Sequence, residues 1–81
     1  MDEAMERLRK NFYQLWRPLE KLRSSDDPGN LLAVWRGAQR PSREWRALRN
    51  YEQAIDVLTV SMGRSRGEVE GHVRRYVAER R

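Results

Sequence analysis

Met5, Leu8, Phe12, Leu15, Leu19 and Leu22 recur every three or four residues. That spacing keeps one face of a helix apolar and predicts a helix over about residues 2–23. Trp16 widens the stripe, which suits packing in a bundle more than a narrow coiled-coil seam. Asp2, Glu3 and Glu6 stand at the front of this segment and Lys21 and Arg23 at its end, as the helix dipole favours. Pro18 removes one backbone donor and crowds the carbonyl four residues back. The apolar phase survives across it, so a kinked helix is expected there and not two separate ones.

The next segment, SSDDPGN at 24–30, reads as a loop. Asp27-Pro28-Gly29-Asn30 fits a type II turn, with proline fixing φ and glycine supplying a positive φ. Asp26 and Asp27 read as turn residues ahead of a helix, not as a metal or acid–base pair. Asn30 would cap a second helix over 31–39, carrying Leu31, Leu32, Val34, Trp35 and Ala38, with Gly37 weakening its end. Arg40-Pro41-Ser42 breaks the chain. Ser42 caps a third helix over 43–62, with Trp45, Leu48, Ile55, Leu58 and Met62 on its buried face. Gly63 stands where a helix closes in a left-handed residue. Ser65 and Glu68 then form a capping box for a fourth helix over 66–80, burying Val69, Val73, Tyr76 and Val77. No alternating strand pattern and no internal repeat is visible. The expected fold is a small all-α, four-helix domain spanning 1–81.

A chain of 81 residues buries a modest core. Without cysteine it has no disulfide and no thiolate zinc site, and one histidine, His72, excludes a histidine-rich metal cluster. The remaining means of support are aromatic burial, through Trp16, Trp35 and Trp45, or self-association. A helix-one stripe shared across a two-fold axis would give a homodimer; the same stripe can instead close the core of one molecule. Mean hydropathy is −0.99. The longest apolar run, Leu31 to Trp35, is far below the ~20 residues that cross a bilayer. The N-terminus lacks the apolar stretch of a secretory signal. A soluble, cytoplasmic protein is expected, with no membrane partner. No nucleophile–base pair, glycine-rich phosphate loop or metal spacing appears. The reading is therefore of a non-enzyme with no cofactor, no metal and no small-molecule substrate. His72, at the edge of an apolar face, reads as a packed or surface residue.

The net charge is +5, and 15 of the 17 basic residues are arginine. Residues 1–30 are balanced, with six basic and six acidic side chains, so the whole excess lies in 31–81. Arginine forks pair bidentately with phosphates and carboxylates, so this half suits an anionic partner.

The stretch LTVSMGRSRGEVEGHVRR resembles the helix-turn-helix of many bacterial DNA-binding proteins, in which a small-x-x-Leu-Gly-x-Ser turn precedes a helix with a buried valine. The resemblance covers about residues 55–75 and names no single family. It departs from the pattern at Arg64, where an apolar residue is common, and at Glu68 and Glu70, which repel phosphate. It implies that the last helix enters the major groove by its N-terminal end, placing Arg64, Ser65, Arg66, Glu70 and Arg74 towards DNA. Arg66 would then read guanine, Arg64 and Ser65 would hold phosphates, and Arg75 would meet the backbone.

The densest basic cluster, Arg36, Arg40, Arg43, Arg46 and Arg49, lies elsewhere, with Glu44 as its one near acidic neighbour. It reads as a phosphate-binding rim, as a contact for an acidic protein, or as a solvated face that keeps the domain soluble. Two functions follow. One is a helix-turn-helix-like DNA-binding regulator or accessory protein without catalysis. The other is a small helical adaptor or inhibitor that docks its arginine face on an acidic protein surface. RNA binding stands behind both.

Overall fold

The computed structural model describes residues 2–79. Within them the chain forms five helices and no strand: α1 (Glu3–Asn11), α2 (Tyr13–Ser24), α3 (Pro28–Arg36), α4 (Arg43–Met62) and α5 (Arg66–Ala78). The all-α expectation holds, but the first predicted helix is two helices.

The break falls at Phe12, six residues before Pro18, and α2 continues through the proline. Phe12 has φ −138° and ψ 61°; its N–H still donates to the Leu8 carbonyl, while its own carbonyl accepts from Leu15 and Trp16. The break lets both halves of the apolar stripe reach one core. An unbroken helix over 2–23 would be ~33 Å long, and the molecule's greatest extent is 32 Å. Broken at Phe12, both halves pack on α4, and Met5 and Leu8 join Leu19 and Leu22 in one core. Phe12, expected inside the stripe, is the residue given up: it is 48% exposed.

The segment around Pro28 also differs from the expected turn. Asp27, not Asn30, caps α3, its carboxylate accepting from the Asn30 N–H at 3.1 Å. Pro28 takes the first helical position, where its missing donor costs nothing. Gly29 does not have the positive φ of a type II turn; among the described residues Gly63 alone has one. The helix starts three residues early and stops at Arg36, short of the expected residue 39. Trp35 is buried and Val34 exposed.

The last two helices follow the sequence closely. Ser42 caps α4 through the Trp45 N–H at 3.0 Å. Gly63 closes α4 at φ 63° and ψ 39°, and Ser65 and Glu68 form the capping box of α5. The expected residue 80 of this helix lies outside the described residues. Helices α2 and α4 each pack against all the other helices, so they form the spine. Leu19, Ala54, Ile55, Leu58 and Val69 are fully buried along it, each large apolar side chain contributing about 1.5–3 kcal/mol by leaving water. Trp45 was expected in this core and is not part of it. It is half-buried, with the guanidinium carbons of Arg40 and Arg49 at 5.1 and 5.7 Å from its ring.

Candidate functional site

The first turn of α5 was the expected reading surface, and most of its charges are already engaged. Arg66 donates to Asp56 at 2.5 Å and also pairs with Glu52, both on α4. Arg64 lies 3.6 Å from Glu68, and Glu70 lies 3.6 Å from Arg36. Ser65 is occupied as the cap: its hydroxyl accepts from the Glu68 N–H, and its own N–H donates to the Glu68 carboxylate. The Ser65 N–H foremost, and then the Ser65 hydroxyl, which also donates to that carboxylate at 3.1 Å, hold the Glu68 carboxyl below its ordinary pKa. Arg74 and Arg75 remain exposed and make no ion pair among the described residues. Gly67 and Gly71 line an open trough beside Arg75, together with Met62, Arg64, Glu68 and His72.

The expected basic rim divides three ways. Arg36 is spent on Glu70. Arg40 and Arg49 lie on the Trp45 ring. Arg43 and Arg46 turn to α2, where they meet two cations that sequence reasoning did not single out, Arg17 and Lys21.

These four side chains wall a groove of about 380 Å³ between α2 and the first half of α4. Each helix supplies the same register, i, i+3, i+4 and i+7. Gln14, Arg17, Pro18 and Lys21 come from α2; Arg43, Arg46, Ala47 and Asn50 come from α4. In both helices the third position is compact, a buried Pro18 and a half-buried Ala47. The helices thus approach closely along the floor while the long cationic side chains rise as walls. Glu20 and Glu44, the acids nearest in sequence, do not line the groove. None of the four cations makes an ion pair or hydrogen bond among the described residues.

Chemically such a lining is suited to holding an anion. Like charges around a concave surface raise the local potential and draw counter-ions or a polyanion. Arg17, Arg43 and Arg46 can each offer a phosphate two parallel N–H donors, and Lys21 adds a point charge. Among the described residues no group of three His, Asp or Glu side chains is placed to hold a metal ion, and no helix is long and apolar enough to cross a membrane. Compared with protein-family models, with curated proteins and with solved structures, the chain matches none.

Proposed function

We propose that this chain is a non-catalytic nucleic-acid-binding protein, a regulator or accessory factor, that grips the phosphodiester backbone of DNA in the α2–α4 groove. The observation that carries the reading is the contrast in pairing. The arginines at the start of α5 are paired within the molecule, whereas Arg17, Lys21, Arg43 and Arg46 line one groove with no ion-pair partner among the described residues. Four mutually repelling cations destabilise a free protein, and a polyanion relieves that repulsion. In this reading α4 and α5 form the helix-turn-helix-like pair, with the sharp left-handed turn at Gly63 between them. Arg74 and Arg75 then add phosphate contacts from the open face of α5. Arg66 serves as a tie to α4, so little base discrimination is expected.

Fluorescence anisotropy with a labelled DNA duplex at several salt concentrations tests it. The four groove cations alone, neutralising four phosphates, give a slope of log K against log salt of about −3.6, or roughly a hundredfold loss of affinity between 50 and 200 mM salt, and contacts from Arg74 and Arg75 steepen it further. The double variant Arg17→Glu/Lys21→Glu should abolish the binding. Failure of the wild type to bind at low salt would remove the nucleic-acid reading. Recovery of one stoichiometric acidic protein, insensitive to nuclease, would put the adaptor function in its place.

A further inference from the structure

A third concave surface is apolar and lies at the other half of α4, on the side that α1 covers. We infer that this α1–α4 groove is a self-association surface that takes a second copy of the chain, and the inference stands apart from the reading of the basic groove. The cavity is about 470 Å³, with α1 supplying Arg7, the break after it Phe12, and α4 Asp56, Val57 and Val60 among its walls. Two of the four exposed large apolar side chains of the described molecule line it: Val60, 85% exposed, and Phe12, 48% exposed. Neither position is forced by the core. Phe12 is outside because the helix breaks there, and Val60 points away from the face that carries Ile55 and Leu58.

What identifies the occupant is the charge at the rim. Arg7 stands on the α1 wall and Asp56 on the α4 wall, the two charged residues of the lining. A two-fold axis through the groove sets each Arg7 against the partner's Asp56, so one patch complements itself without any other acid or base. Both groups have capacity left. Arg66 occupies Oδ1 of Asp56, and among the described residues Oδ2 makes no hydrogen bond. Among the described residues Arg7 pairs with Glu3 alone, at 3.8 Å and largely exposed, a pair that exchanges easily. The apolar knobs of one copy then fill the hollow of the other, and the charges fix the register.

Sedimentation velocity on the full chain over a concentration series, with circular dichroism to confirm folding, tests this. The wild type is expected to dimerise with increasing concentration. Arg7→Asp places carboxylates against Asp56, and Asp56→Lys places cations against Arg7, so each variant alone should weaken the dimer about tenfold or more. Mixed in equal amounts, the two restore both opposite-charge contacts and should recover a heterodimer. Val60→Asp, at a position far from the core, should be folded and monomeric. A wild type that stays monomeric throughout overturns the proposal. So does a dimer that survives Val60→Asp, or a wild-type dimer whose two charge variants fail to rescue each other.

Discussion

Asp2 holds the two ends of the described chain together through His72. One carboxylate oxygen, Oδ1, accepts from the N–H groups of Ala4 and Met5 and so caps α1. The other, Oδ2, meets Nε2 of His72 on α5, seventy positions away. A single side chain thus does a local and a long-range task. Asp2→Ala should cost the cap, about 1 kcal/mol, together with the tie to α5. His72→Ala should cost the tie alone and be the milder change. In the double variant, removing His72 after Asp2 should add little, giving a coupling of about 0.5 kcal/mol or more. Urea denaturation of the four proteins measures it. Additive losses would mean that the contact contributes nothing.

Gly67 and Gly71 weaken α5 without an intramolecular reason. A Cβ at Gly67 would meet no atom within 4 Å, and one at Gly71 would touch only the ends of the Arg74 and Arg75 side chains, at 3.8 and 3.9 Å. Each change to alanine should therefore stabilise the fold by about 1 kcal/mol, raising Tm by roughly 4–8 °C for a domain of this size. Gly63→Ala is the opposite case: at φ 63° the left-handed backbone should cost about 1–2 kcal/mol. If the trough exists to let a phosphate backbone come close, Gly67→Ala should bind DNA more weakly while melting at a higher temperature. Calorimetry and anisotropy on the same samples separate the two effects.

The capping box makes part of the stability acid-sensitive. The Ser65 backbone N–H, then the Ser65 hydroxyl, then the nearby Arg64 lower the Glu68 pKa in the folded state. A lowered pKa means that the contribution is complete above the ordinary glutamate range and is lost as pH falls through the folded value. Glu6 behaves alike, held down first by its hydrogen bond from Arg9. Glu68→Gln keeps an acceptor for the Ser65 N–H. It should lose little at neutral pH and flatten the acid limb of the stability curve, leaving the part due to Glu6. Carbon-detected NMR of the Glu68 carboxyl should show a midpoint below that of a glutamate in an unstructured peptide.

The parts of this fold that were legible in the sequence are those with a local cause. Ser42, Gly63 and the Ser65–Glu68 pair each act within a few residues, and α4 starts and ends where they stand. The break at Phe12 has no local signal, because the apolar period runs through it unbroken; it follows from the size of the core that the helix must serve. Pro28 was legible in two ways, as a turn proline or a first-turn proline, and the carboxylate of Asp27 decided between them. The basic groove was half visible. Arg43 and Arg46 stood out because they sit in an arginine-dense stretch, whereas Arg17 and Lys21 sit in a neutral one. Their shared i, i+4 register acquires meaning only once α2 is known to lie beside α4. The engagement of Arg66 was hidden for the same reason, since Glu52 and Asp56 are one turn apart on a different helix.

That engagement gives the sharpest separation between a structural and a reading role on α5. Arg66 ties the first turn of α5 to two carboxylates one turn apart on α4, and it is 43% exposed as a side chain. Partly exposed pairs are individually weak, so Arg66→Ala should destabilise the fold by about 0.2–1 kcal/mol. A phosphate-contacting cation behaves differently: removing Arg17 or Lys21 should lower the magnitude of the salt slope by about 1 and reduce affinity evenly across sequences. If Arg66 is a tie, its alanine variant keeps the wild-type slope and base preference and shows its effect in denaturation. A reading arginine would instead cost ~1–3 kcal/mol at one base position and relax the preference there. Running Arg66→Ala beside Arg17→Ala on duplexes of differing sequence distinguishes them. A position-specific loss for Arg66 with unchanged stability would return α5 to the role of reading helix, because it would show that the Glu52 and Asp56 contacts give way to DNA.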